Sequence, residues 1–289
     1  MSNTITSLKK EGKLSEAYDR AISMLEQNKL VDKQDVWLTR AYAWVLHAQL
    51  KRLSFISNPT AYQSKLQEIF AAKIDIEEDM FWSSVAFSLR ANLAVLVENN
   101  MPMALDLLVL VDFAQMSKSN GLSSVIKIVQ KHFKEHKDYQ SLIETIGFDK
   151  FVDEDFISYI PEGGRPIMSL VEQLIISYSK VLLAGQPDMH NPFVTHVDKE
   201  KVNTWIPIID NLSRKSMEYP LYFKAKLLQA VGSNQAAIDC VIQFAKSNSR
   251  KFWVWTLLGD LHSNEKNLQK AYYSKAIDCG GDPKFLIGA

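Results

Sequence analysis

The stretch Trp255-Thr256-Leu257-Leu258-Gly259-Asp260-Leu261-His262, followed by Ala271 and Pro283, constrains the fold more than any other part of this 289-residue chain. Large and small apolar residues alternate in it at helical spacing. Gly259 and Ala271 let two helices approach closely, and the large residues fill the space beside them. Pro283 stops the second helix, because proline has no N–H to donate and clashes with the preceding turn. One period of about 34 residues earlier, Leu221, Ala225, Leu228, Ala237, Val241 and Phe244 take the matching places. Gly232-Ser233-Asn234 supplies the turn inside that earlier pair.

These residues resemble the tetratricopeptide-repeat family, whose hairpins carry a Trp, a Leu-Gly and an aromatic, then an Ala and a closing Pro. The resemblance covers residues 218–285 and returns more weakly over 8–50. Three positions depart from the pattern: His262 stands for the usual aromatic, and Lys275 and Lys224 replace large apolar residues. The resemblance implies an all-α, right-handed superhelix of antiparallel helix pairs, with irregular repeat lengths. It also implies a concave surface of first helices that receives another protein or a peptide, without enzymatic activity or cofactor.

The inner positions so implied are Tyr222 and Lys226 on one hairpin, and Trp253, Thr256 and Asp260 on the next. Trp255 takes the core place of the repeat, so Trp253 is expected to point away from the core and to anchor the partner. The competing reading of Trp253 is contact with a neighbouring hairpin, because tryptophan is seldom left exposed. The family's device for gripping a C-terminal carboxylate uses Lys and Asn. Thr256 and Asp260 stand there instead.

Along the chain, Leu14, Ala17, Tyr18, Ala21, Ile22 and Leu25 recur at helical spacing. Asp35 caps a helix carrying Trp37, Ala41, Trp44 and Val45, expected to run past Leu50 until Asn58-Pro59 breaks it. Further helices are expected over 61–72, 81–97, 103–116 and 122–136, the last following Ser119-Asn120-Gly121. The acidic run Asp75, Glu77, Glu78 and Asp79 suits a helix N-terminus. Gly147 to Pro166 cannot be one helix, since its Pro161–Pro166 segment holds two prolines and two glycines around Glu162 and Arg165. Helices at 169–184 and 199–212 follow, the latter interrupted near Pro207, with an irregular loop at 185–198 between them. No alternating strand pattern is evident. The expected organisation is a helical-repeat block at 1–147, an irregular connector with one helix at 148–198, and the C-terminal hairpins at 199–289.

Composition narrows the class. Gly and Pro number only 11 and 9, which suits helices, and 47% hydrophobic content can bury a core. A formal net charge of +0 gives no global field to draw in nucleic acid or an anionic membrane. The N-terminus lacks a secretory pattern. The apolar window from Met103 to Met116 is too short to span a bilayer. A cytoplasmic protein without a membrane role is therefore expected, with Cys240 and Cys279 as reduced core residues.

His132-Phe133-Lys134-Glu135-His136 matches the His-x-x-Glu-His pattern of inverted zinc peptidases. An exposed helix end among lysines is the favoured reading, and a peptidase the remote one. Asp188/His190 and His196/Asp198 read as solvated loop before metal ligands. Arg165 sits on a Gly-Gly turn that could present it to an acidic group. The cluster Lys199, Lys201, Arg214, Lys215, Lys224 and Lys226, with Trp205, Tyr219, Tyr222 and Phe223 among it, keeps nucleic acid as the less favoured partner. The segment around Pro161–Pro166 is faintly similar to bacterial helical proteins of defence systems, which makes a nucleic-acid-linked scaffold the alternative function. The chain's end soon after Pro283 suggests that longer relatives carry a further domain.

Overall fold

The computed structural model describes residues 2–30, 35–72, 74, 78–187 and 195–280. The chain divides into two compact units, Met1–Val152 and Asp153–Ala289, and the division falls inside the irregular stretch 147–166. Among the described residues the fold is all-α, with fourteen α-helices and one two-stranded pairing of two residues per strand.

The first unit runs α1 (Ser2–Lys10), α2 (Leu14–Leu30), α3 (Val36–Leu50), α4 (Pro59–Ala71), α5 (Asp79–Asn99), α6 (Met101–Val109), α7 (Asn120–Phe133) and α8 (Tyr139–Ile146). Successive helices pack in pairs, and α5 against α7 is the most extensive packing. Short polar side chains start these helices by accepting an otherwise orphaned N–H. Asp35 accepts from Leu38, Asn58 from Ala61, and Asn100 from Met103, each within about 3.1 Å. Trp82, Tyr62, Phe81, Phe113 and Phe133 fill the core.

Three expectations for this unit need correction. α3 stops at Leu50 and does not run on, and Asn58-Pro59 opens α4. The apolar window 103–116 is two elements, α6 and a 3-10 turn at Phe113–Gln115, because Val111-Asp112 leaves the helical path between them. Ser119 caps α7, and Gly121 lies inside that helix. α8 was not anticipated. The acidic run does stand at the start of α5, with Glu78 at the N-cap position and Asp79 in the first turn; the Glu78 carboxylate pairs with Arg40 at 3.2 Å, and Asp75 and Glu77 lie outside the described residues.

By length and composition α5 could cross a membrane. In the fold its Phe81, Trp82, Val85, Ala86, Leu89, Leu93 and Leu96 are buried in the unit. His47 is buried against it, with Nε2 at 3.1 Å from the Ser84 carbonyl and the Ser88 hydroxyl. Burial pushes this imidazole down to about 4.

The second unit contains α9 (Leu170–Ala184), β1 (Gln186–Pro187) paired antiparallel with β2 (Thr195–His196), α10 (Lys199–Leu212), α11 (Pro220–Ala230), α12 (Asn234–Asn248), α13 (Phe252–Leu261) and α14 (Lys266–Asp278). The expected break at Pro207 does not occur. α10 is continuous, held on both sides of the proline by buried Trp205 and Ile209. The Trp205 indole N–H donates to Ser179 Oγ at 3.0 Å, and its ring lies 4.6 Å from that of Tyr178.

The C-terminal hairpins form one core from Ala225, Ala237, Val241, Phe244, Val254, Leu257, Leu258 and Leu261. Leu221 and Ala271, assigned to packing from the sequence, are exposed instead. Where α13 meets α14, Gly259 faces the large Tyr273, and Ala276 of α14 is fully buried. A Cβ on Gly259 would meet the Tyr273 ring at 2.3 Å. Gly259→Leu is therefore expected to cost about 1–3 kcal/mol. A thermal melt unchanged by this substitution would show that α13 and α14 do not cross there. Pro283 lies outside the described residues.

Candidate interaction surface on α11 and α13

Two short stripes face one another in the C-terminal hairpins. On α11, Tyr222 and Lys226 are one helical turn apart. On α13, Trp253, Thr256 and Asp260 follow at spacings of three and four, which keeps them on one side. All five are partly buried. The Tyr222 and Trp253 rings meet edge-on with centroids 4.4 Å apart. Phe244 and Tyr219 flank Trp253 at 5.4 and 6.2 Å.

Charge surrounds these rings. Lys226 Nζ lies 5.7 Å from the Tyr222 ring centre, and Lys251 Nζ lies 5.5 and 5.8 Å from those of Tyr219 and Trp253. Such distances suit attraction of a cation to a ring face. Lys251 also donates to Glu218 at 2.6 Å, and this bond holds its ammonium above the usual lysine range. Asp260 accepts the Tyr273 hydroxyl at 2.7 Å. Burial, aided by that carboxylate, pushes Tyr273 up to about 12. Burial and the Asp260 charge also raise Tyr222 above the ordinary tyrosine value. The Thr256 hydroxyl is turned to its own helix, donating to Phe252 O at 3.2 Å.

A family model described as "Domain of unknown function (DUF7017)" matches residues 218–289. The matched stretch holds α11 to α14, and with them both stripes. No curated protein and no solved structure matches the chain.

The structure thus brings Tyr222, Lys226, Trp253, Thr256 and Asp260 together and leaves Arg165 apart from that set. Arg165 is exposed on the turn between Pro161 and Pro166. The two tryptophans do not divide into one core and one outward residue, as the repeat pattern suggested. Each is partly buried, and the core of α13 is Val254, Leu257, Leu258 and Leu261. Trp253 leans on the preceding hairpin. Trp255 lies near Tyr272 and donates its indole N–H to Ser249 O at 2.7 Å.

Sequence reasoning missed Glu172. This residue of α9 is buried, and one carboxylate oxygen accepts the backbone N–H groups of Glu218 at 2.6 Å and Tyr219 at 2.9 Å. It thereby fixes where α11 begins, and so where Tyr222 and Lys226 stand. Ser169-x-x-Glu172 reads as a local capping box. Ser169 does cap, accepting the Glu172 N–H at 3.1 Å, but the carboxylate reaches a segment 46 residues on.

The other candidate sites do not converge. α7 ends at Phe133, so His136 lies beyond the helix and cannot share a helical face with His132. His132 Nε2 lies 3.8 Å from Glu98, and His136 Nδ1 lies 3.5 Å from Asp138. Among the described residues no three His, Cys, Asp or Glu side chains are placed to hold a metal. Asp188 and His190 lie outside the described residues, and Asp198 caps α10 by accepting from Lys201 N. The basic cluster is dispersed: Lys224 pairs with Asp210 at 2.7 Å, and Arg214 lies over the Phe156 ring at 4.2 Å. Cys240 and Cys279 are free thiols, both partly buried.

Proposed function

We propose that this chain is a non-enzymatic binding scaffold of the tetratricopeptide-like type, its helix pairs stacked as a right-handed superhelix. Its partner, a protein or peptide, lies across α11 and α13. The observation that supports this reading is the meeting of Tyr222 and Trp253 from successive first helices, with Lys226 and Asp260 of opposite charge on the same side. Aromatic surface beside paired charges provides both contact area and orientation. Trp253 contributes its open edge, while the rest of its ring joins two hairpins. Tyr222, Lys226, Thr256 and Asp260 complete the contact.

The test begins with an affinity pull-down from the native host, with and without nuclease, followed by titration of the recovered partner. Lys226→Glu and Thr256→Arg are expected to weaken that partner about tenfold while leaving the melting temperature in place, since each removes or blocks one contact at about 1.4 kcal/mol. Trp253→Ala is expected to cost about 2 kcal/mol of stability, less than full burial would imply. Full affinity in both surface variants would overturn the assignment. Capture that disappears with nuclease would move the function to the nucleic-acid-linked alternative.

A further inference from the structure

The segment between the 3-10 turn Asp153–Phe156 and α9 is a small β-turned loop that carries an unusual amount of exposed apolar surface. Tyr159 N–H donates to Ile167 O at 3.1 Å, and Ile167 N–H donates to Tyr159 O at 2.8 Å. This single antiparallel bridge draws 157–160 and 166–168 side by side. Gly163 at φ 66° and the Gly164 N–H to Pro161 O bond close the tip. A positive φ there is the reason for glycine.

Five large apolar side chains stand exposed on this loop: Ile157, Tyr159, Ile160, Ile167 and Met168, with Ile160 at 70% and Tyr159 at 58%. Such a concentration within twelve residues marks an interaction surface. Its only charges are Glu162 and Arg165 at the tip, on opposite sides of the two glycines.

We propose that a second copy of this chain covers the loop, forming a two-fold dimer. A two-fold contact uses the same patch on both copies, so the patch must complement itself. This one does. As a hydrogen-bonded cross-strand pair, Tyr159 and Ile167 share a face, whereas Ile160 and Met168, next to them in sequence, project to the other side. Two Tyr159/Ile167 faces pack as apolar on apolar. With the two-fold axis along the loop, 157–160 of one copy lies over 166–168 of the other. Glu162 of one copy then meets Arg165 of the other, and the reverse. The formal net charge of +0 leaves no overall repulsion between copies.

The test is sedimentation equilibrium of the full chain from low to high micromolar concentration, with circular dichroism as the folding control. The wild-type chain is expected to be a dimer. Tyr159→Asp should raise the dissociation constant at least tenfold with an unchanged spectrum. Glu162→Arg and Arg165→Glu should each weaken the dimer severalfold, and the double exchange should restore it. Restoration shows that the two residues pair, and the loss in Tyr159→Asp ties that pairing to the apolar contact between copies; both results together are decisive. A wild-type chain that stays monomeric throughout would overturn the proposal. So would a dimer indifferent to all four variants, or one that the double exchange leaves as weak as the single reversals.

Discussion

Gly121→Val is expected to destabilise the unit Met1–Val152 by about 3 kcal/mol or more, at the upper end of overpacking effects. Gly121 lies in the first turn of α7, where that helix crosses α5. A Cβ there would sit 2.2 Å from the Ser83 carbonyl oxygen, 2.9 Å from its carbonyl carbon and 3.0 Å from its Cα. These are backbone atoms of a 21-residue helix whose neighbouring Phe81, Trp82, Val85 and Ala86 are fully packed, so α5 cannot retreat without disturbing the core. The Gly121 N–H also donates to Ser83 Oγ at 3.2 Å, which any separation of the helices would stretch. Gly121→Ala gives the sharper test. In an uncrowded helix alanine is worth about 1 kcal/mol more than glycine, so an open site would be stabilised. The crossing predicts the opposite sign. At roughly 2–4 °C per kcal/mol for a unit of this size, the valine variant should melt roughly 10 °C lower. An alanine variant that melts higher than the wild type would show that α5 and α7 do not touch at Gly121.

That glycine also shows where the sequence stopped being readable. Ser119-Asn120-Gly121 has the composition of a turn, and composition reports only local preference. The need for a missing side chain comes from Ser83, 38 residues earlier, and no local pattern carries it. The cap at Asp35 was legible for the converse reason. Asp35 acts on an N–H group three residues from itself. Met103 to Met116 is apolar except for Asp106, Asp112 and Gln115, too few polar residues for periodicity to mark the exit at Val111-Asp112. In the C-terminal hairpins, Ala225, Ala237, Val241 and Phe244 were found by stepping back one repeat period, and all four are core. Leu221 was assigned by the same step and is exposed, and Ala271, read from the motif itself, is exposed too, while Tyr273 packs beside Gly259. The candidate surface was legible as a set, since α11 and α13 repeat each other's register. How Trp253 divides between hairpin and solvent was not, because that depends on Phe244 and Tyr219 in space.

Glu172→Ala is expected to cost about 2–4 kcal/mol and to loosen the start of α11. The carboxylate is 3% exposed and receives two backbone N–H groups, from Glu218 and Tyr219, at the point where α11 begins. Hydrogen bonds to a charged acceptor contribute about 1.5–3 kcal/mol each, and a buried donor left without one costs about 1–3 kcal/mol. These donors are only partly buried, so water recovers some of the loss. A negative group is favoured at a helix N-terminus besides. Pro220 follows directly and has no N–H, so the N–H groups of Glu218 and Tyr219 are the ones this carboxylate can hold. Glu172→Gln keeps one acceptor oxygen and should cost less than alanine. The effect reaches the candidate surface, because Tyr222 and Lys226 lie three and seven residues after Tyr219. Losing the cap should therefore weaken partner binding together with stability, whereas Lys226→Glu weakens binding alone. Native-state hydrogen exchange reads the cap directly: the Glu218 and Tyr219 amides should exchange at least tenfold faster in the alanine variant. Unchanged protection of both amides, with a melting temperature equal to that of the wild type, would mean that α11 starts where it does without Glu172.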